Sequence, residues 1–206
     1  MACLCPVKTL EGGSDIDNPD ALAVEICSPV VSGLERIKPV DSKQAAHIIV
    51  QGLKKAGINF IATLPDLKVV EVIEAVDRDP QIKHVPLCRE EEGVGICAGA
   101  YLTGKKTALL MQNGGLLNSC NGLTTTCLQF QIPILLLVYY AGDLGDRGFT
   151  TVGSVTEPVL QGLGIRTYVL RKSAEVEETL RGAQILAEDS KKPVAVLLTK
   201  SVLGVK

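Results

Sequence analysis

The run at 132–141, IPILLLVYYA, carries no charge and no alternation of apolar with polar residues. It is too short to cross a bilayer, and a strand exposed on one side of a sheet would show a polar residue at every second place. What remains is a strand covered on both faces. Similar short apolar runs recur, each followed by a helical pattern: INFIATL before DLKVVEVIEAVDRD, IKHVPLC before EEEGVGICAGAYLTG, TALLMQ before GLLNSCNGLTTTCLQF, IPILLLVYY before a long loop and VTEPVLQGLG, IRTYVL before SAEVEETLRGAQILAEDS, and PVAVLLT at the close. The pattern predicts an α/β architecture, a doubly wound, mainly parallel six-stranded sheet with helices on both faces. Asp41 is a suitable N-cap for the first helix, DSKQAAHIIVQGLKKAG, which stops at Gly57. The fold proper is therefore predicted over 41–206. Residues 1–40 carry GGSDIDNPD and several prolines without sustained periodicity. They read as an N-terminal extension, partly disordered or laid over a neighbour.

Composition removes several classes of function. A net charge of −2 with scattered Lys and Arg offers no electrostatic footprint for nucleic acid or for an anionic membrane. Seven cysteines, irregularly spaced and without a C-x-x-C, together with two histidines, argue against a zinc site or a disulfide framework. Cys3 and Cys5 could bind a soft metal but lie in the extension. Reduced thiols, and an N-terminus with neither a basic nor an apolar signal region, point to a cytoplasmic protein.

The interval between Lys106 and Asp143 contains no charged residue. It includes the whole helix predicted at 116–129, whose outward face in a monomer should carry Lys or Glu. A helix polar only through Asn, Ser and Thr is expected to be covered on every side. The cover is another subunit, because interface cores are depleted of charge in this way; burial inside its own domain is the alternative.

Ligands of parallel sheets bind beyond the carboxyl ends of the strands. That places LPDLK at 64–68, LCREEEG at 87–93 and MQNGGLLNS at 111–119 near any site. Glu90, Glu91 and Glu92 open a helix, where acids favour the macrodipole without further purpose. Glu90 differs, because it directly follows the strand end and can point into a cleft, there to donate or accept a proton near neutrality. The stretch Gly93-Val94-Gly95-Ile96-Cys97-Ala98 matches the dinucleotide fingerprint formally. Three carboxylates upstream would repel a pyrophosphate, and no acid from 93 to 142 could hold a ribose. These glycines instead admit a close neighbour. Gln112-Asn113-Gly114-Gly115 lacks the Lys and Ser/Thr of a P-loop, and reads as a tight turn or as a loop of uncharged hydrogen-bonding groups beside a ligand.

Taken together, LPD at 64–66, REEEGVGICAGAYLTGK at 89–105, LLMQNGGLLNSCNGL at 109–123 and the following strand IPILLLV resemble the pyrimidine-binding domain of thiamine diphosphate enzymes. The resemblance is strongest to the alpha subunits of sulfopyruvate decarboxylases and to phosphonopyruvate decarboxylases, and it covers roughly 41–200. It implies that Glu90, nine residues before Gly99, meets N1′ of the aminopyrimidine ring and shares a proton with it. The cofactor then acts as electron sink for loss of carbon dioxide from a 2-oxo acid. It further implies that Gln112, Asn113, Gly114, Gly115 and Asn118 lie beside the pyrimidine or the substrate, Asn113 toward both, and that Pro65 and Asp66 line the opposite wall.

The G-D-G motif that binds the diphosphate through Mg²⁺ in the other half of such enzymes is absent; Gly142-Asp143-Leu144 lacks the second glycine. The chain is therefore expected to be an alpha-type half enzyme that works with a beta-type diphosphate-binding chain holding the Mg²⁺, and to self-associate through alpha chains. Sulfopyruvate is the first expected substrate and phosphonopyruvate the second. The rivals are a non-catalytic regulatory subunit that kept the fold, and a carboligase subunit. Relatives usually read M-Q-N-S-G-L-G-N where this chain has Met111-Gln112-Asn113-Gly114-Gly115-Leu116-Leu117-Asn118, P-D-S where it has Pro65-Asp66-Leu67, and W-R-G where it has Tyr140-Ala141-Gly142. These departures leave Lys68, Arg89 and Arg147 as candidate cations for the anionic tail of the substrate.

Overall fold

A computed structural model describes residues 41–205; the expected extension at 1–40 lies outside the described residues. Helix α1 (Ser42–Lys55) starts at Asp41, whose carboxylate accepts the Gln44 N–H at 2.8 Å. It ends where Gly57 takes φ +82°, a conformation that costs glycine nothing. Its apolar stripe, Ala45, Ala46, Ile49, Val50 and Leu53, is buried. Each of the larger side chains there contributes about 1.5–3 kcal/mol relative to exposure.

Six strands follow, β1 (Phe60–Thr63), β2 (Lys83–Pro86), β3 (Thr107–Gln112), β4 (Leu135–Tyr139), β5 (Arg166–Leu170) and β6 (Val194–Leu198). They form one sheet in the order β2-β1-β3-β4-β6-β5 with every pairing parallel. The apolar runs behave as expected at its centre, where every residue of β4 and β6 is buried. The outermost strands β2 and β5 are partly exposed instead, since each has a neighbour on one side only.

The helices make two layers. On one face α1, α2 (Val70–Asp77), α7 (Val176–Ser190) and the short α8 (Lys200–Leu203) pack through Leu53, Val76, Leu180 and Val202. On the other, α3 (Glu90–Leu102), α4 (Asn113–Asn118), α5 (Cys120–Gly122), a π-helical segment (Leu123–Leu128) and α6 (Thr150–Gly162) pack through Val94, Leu116, Leu123 and Leu160. The chain leaves β1 through α2 on the first face and β3 through α4 on the second. The ends of β1 and β3 therefore diverge, making the crevice in which doubly wound sheets bind ligands.

Several boundaries differ from the sequence reading. Helix α2 begins four residues after Asp66, whose carboxylate accepts the Lys68 N–H at 2.7 Å and holds a turn in place of a helical one. The helix expected at 116–129 starts at Asn113 and is interrupted at Ser119, before the π segment. Helix α6 starts at Thr150, ahead of the expected VTEPVLQGLG. Helix α8, too short for a periodicity signal, was not expected.

Candidate active site

Three carboxylates open α3, and the structure gives them separate tasks. Glu92 accepts the N–H of Arg89 at 3.2 Å, half of a capping box. Glu91 accepts the Asn121 amide at 3.2 Å and so ties α3 to α5. Glu90 is half-buried and, among the described residues, has no hydrogen-bond or ion-pair partner. Its side chain lies against the backbone of Gly115, where a Cβ would run into the carboxyl group. The glycine is thus what admits the acid. Gly93, one turn below, packs similarly on the sheet: a Cβ there would stand 2.5 Å from Leu109 and 2.6 Å from Leu87. Gly95 and Gly99 face open space, with no close neighbour among the described residues.

Beside Gly115, Asn113 is fully buried. Its Nδ2 donates to the Ala141 carbonyl at 2.8 Å and to Thr156 Oγ1 at 2.9 Å. Thr156 spends its own proton on the Val152 carbonyl, which fixes the orientation of the amide. The Asn113 Oδ1 is left without a donor among the described residues. A buried acceptor of this kind costs free energy unless a ligand or water reaches it.

Across the crevice Asp66 is held by both oxygens, by the Lys68 N–H and by the Gln112 amide at 3.0 Å. Pro65 beside it is exposed. Gly114 lies close to Gln112, whose Oε1 a Cβ would meet at 3.1 Å. The expected residues thus fall into two groups on one sheet edge: Glu90, Asn113 and Gly115, and Pro65, Asp66, Gln112 and Gly114. Asn118 joins neither. It is exposed at the end of α4 and, among the described residues, makes no hydrogen bond.

The sequence reading missed a third group, over the ends of β4, β5 and β6. Asp143 makes a two-pronged pair with Arg171, at 2.5 and 3.0 Å, and Asp146 binds Lys200 at 2.6 Å. Both carboxyl groups are held below the usual aspartate range, Asp143 chiefly by Arg171 and Asp146 chiefly by Lys200. A cleft of about 230 Å³ lies among them, lined also by Thr199 and Ser201. Tyr139 and Tyr140 are pushed up to about 12, first by burial, then by Asp146 beside the one and Glu157 beside the other. The available signal was position: Asp143 closes the charge-free interval, and Arg171 and Lys200 each follow a strand end.

The charge-free helix has an open outward face, with Asn118, Asn121, Thr124, Thr125 and Gln129 exposed. Burial within its own domain is thereby overturned. Nearby, Ile96 and Leu102 on α3 and Phe130 after the π segment are 38%, 74% and 68% exposed.

Residues 43–143 match the family described as thiamine pyrophosphate enzyme, N-terminal TPP binding domain. The chain is 40% identical over 164 residues to the sulfopyruvate decarboxylase subunit alpha of Methanothermobacter thermautotrophicus, covering 79% of this chain and 98% of that one. A sulfopyruvate decarboxylase of Methanosarcina acetivorans is 32% identical over 157 residues, which are 75% of this chain but 40% of that protein. In structure, 2-oxoglutarate:ferredoxin oxidoreductase from Magnetococcus marinus superposes with a TM-score of 0.62 at 18% identity, over 77% of this chain and 29% of that one, a likeness of fold. This chain belongs to the thiamine pyrophosphate enzymes, and the domain it carries is their N-terminal cofactor-binding domain.

Proposed function

We propose that this chain is the alpha-type subunit of a thiamine diphosphate-dependent 2-oxo acid decarboxylase, with sulfopyruvate as leading substrate and phosphonopyruvate second. The observation that carries the reading is the Glu90 carboxyl, half-buried, unpaired and seated against Gly115. A carboxyl left without a partner in a folded protein is suited to a partner that arrives from outside. An aminopyrimidine ring fits this part of the edge. It needs an acid at one ring nitrogen, and an uncharged acceptor such as the orphaned Asn113 Oδ1 suits its one amino group.

Thiamine diphosphate, when bound, supplies the electron sink for the pair released as carbon dioxide leaves. The work of this chain is to hold one proton between Glu90 and the ring nitrogen N1′, with Gly115 leaving room for the carboxyl group. Asp66, fixed by Gln112 and the Lys68 N–H, lines the opposite wall with Pro65. Nothing in the sequence provides the G-D-G motif for the diphosphate. A beta-type partner chain, which the subunit name of the Methanothermobacter relative implies, is part of the proposal, and the Mg²⁺ is assigned to it. The Methanosarcina relative supports this division, since the matching domain is well under half of a longer decarboxylase.

The uncharged face of 113–129 is suited to that partner or to a second alpha chain. Three of its four hydroxyl protons are already used: Ser119 donates to the Gly115 carbonyl at 2.8 Å, Thr124 to Cys120 at 2.8 Å and Thr125 to Asn121 at 2.9 Å. Covering such a face strands few donors. Cys88, Cys97, Cys120 and Cys127 are free thiols, which supports a cytoplasmic setting, and no helix among the described residues is long and apolar enough to cross a membrane.

The test is Glu90→Ala in the reconstituted two-chain enzyme. Decarboxylation should fall by about 10²–10⁴, the range for loss of a positioned acid-base group. Near-normal turnover would remove the proposal and leave a regulatory subunit as the reading.

A further inference from the structure

The loop at 141–149, which leaves β4 at the ligand-binding edge, is tied down at its ends and at Asp146. Its ends touch: Gly142, at φ +79°, lies so close to the Phe149 carbonyl and the Gly153 N–H that no Cβ would fit, and Gly153 is packed as tightly on Gly142. Asp146 Oδ2 accepts the Gly142 N–H at 3.0 Å across the turn. Phe149 is held at φ +53°, a left-handed conformation that is strained for a bulky residue and persists when its surroundings dictate it.

The two aspartates of this loop are each matched by a cation, and the acid that faces it from α6 by a neutral hydroxyl. Asp143 is answered by Arg171, Asp146 by Lys200, and Glu157 by the Tyr140 hydroxyl at 2.8 Å. Lys172 pairs with Glu175. Arg147 is exposed and, among the described residues, makes no ion pair or hydrogen bond. Its loop thus neutralises its own acids with cations from other elements and offers one unspent guanidinium at the sheet's carboxyl edge.

The other candidate cations compare poorly. Arg89 sits beside Glu90, Glu91 and Glu92, a local excess of negative charge that works against an anion. Lys68 is already engaged. Position also separates them. Three inter-strand steps divide the ends of β2 and β4, about 14 Å at the spacing of strands. A small dianion kept clear of the acidic opening of α3 would lie toward β4.

We infer that Arg147 is the specificity-determining residue for the anionic tail of the substrate, binding a sulfonate or phosphonate through its planar fork of donors. Guanidinium geometry suits such tetrahedral anions, and a loop preset by two ion pairs and a glycine contact loses little entropy on binding them. The inference rests on the decarboxylase reading above.

The experiment uses Arg147→Gln and Arg147→Lys in the reconstituted two-chain enzyme, with sulfoacetate and pyruvate as competing ligands. Arg147 is exposed, so the variants should fold, which thermal unfolding checks. Arg147→Gln should raise the KM for sulfopyruvate and the inhibition constant of sulfoacetate by about tenfold to a hundredfold, as for loss of a charged hydrogen-bonding partner. It should leave kcat and the inhibition constant of pyruvate, whose tail is uncharged, nearly unchanged. Arg147→Lys should fall between, because it keeps the charge and loses the fork. Sulfoacetate should also protect the wild-type complex against thermal unfolding, and the Gln variant much less. If both constants stay at wild-type values in Arg147→Gln, or if Arg89→Gln alone reproduces the loss, the inference is overturned while the decarboxylase reading stands. A wild-type complex that decarboxylates no 2-oxo acid overturns the decarboxylase reading itself.

Discussion

Helix α7 and the helical stretch from α4 through the π segment cover opposite faces of the same sheet, and each buries an apolar stripe. Their outward faces differ. Helix α7 exposes Glu177, Glu178, Arg181 and Asp189, and Lys55 of α1 reaches across to Glu177 at 2.6 Å. The other stretch exposes Asn, Thr and Gln without one charge and turns its hydroxyl groups onto its own carbonyls. Burial requires only the inner stripes, and on that measure the two are alike. The difference teaches that α7 is finished for water, whereas the uncharged outward face of 113–129 suits contact with another chain.

A glycine-to-alanine change on each helix breaks the comparison most sharply. Gly115→Ala in the two-chain enzyme should lower turnover by about 100-fold or more, by displacing the Glu90 carboxyl it would strike. The displaced atoms are the mobile end of a side chain, so thermal stability should change little. Full activity in this variant would show that the Glu90 contact is incidental. On α7 the counterpart is Gly182, whose Cβ would meet nothing. There the same change should raise stability by about 0.5–1 kcal/mol by removing backbone freedom from the unfolded chain, and should leave turnover alone. Chemical denaturation reads the second effect.

A charge placed on each outward face gives the next contrast. Thr125→Lys should weaken association with the partner chain by about tenfold to a hundredfold, because a buried, unpaired ammonium costs several kcal/mol when water is removed. Arg181→Glu on α7 should leave association unchanged, and analytical ultracentrifugation of the mixed chains would decide. Equal effects would mean that the uncharged face is not a contact surface. The smallest effect concerns the loop after β4. Asp143 and Asp146 have folded-state values below the ordinary 3.8. Their contribution is therefore complete above that value and is lost as pH falls through the depressed folded values. Asp146→Asn should lower thermal stability near neutrality, where the contribution is complete, and its difference from the wild type should shrink as pH falls from about 5 to about 2, flattening the acid side of the profile.

Much of the site was legible for a local reason. Three residues separate Glu90 from the end of β2, so position alone brought it near the sheet's carboxyl edge. Gln112 and Asn113 were placed by the same logic. What Gly115 does was not legible, because a contact between α4 and the start of α3 joins segments twenty-odd residues apart, and nothing in either segment names the other. Asn118, which the resemblance placed beside the pyrimidine or the substrate, lies at an exposed helix end because the helix breaks at Ser119. The loop at 141–149 was read as a long connection, since ion pairs to Arg171 and Lys200 span 28 and 54 residues and have no local signature.

The sequence by itself determined the parallel sheet and the order of its elements, because burial on two faces dictates which residues can form each strand and periodicity dictates which can form each helix. It also determined that 107–142 would carry no charge. Only the tertiary structure decided which of three adjacent glutamates is left unpaired, which glycine makes room for it, and which arginine remains after every acid around its loop has found a partner. Those outcomes depend on distances between segments remote in sequence, and packing sets such distances through the whole fold at once.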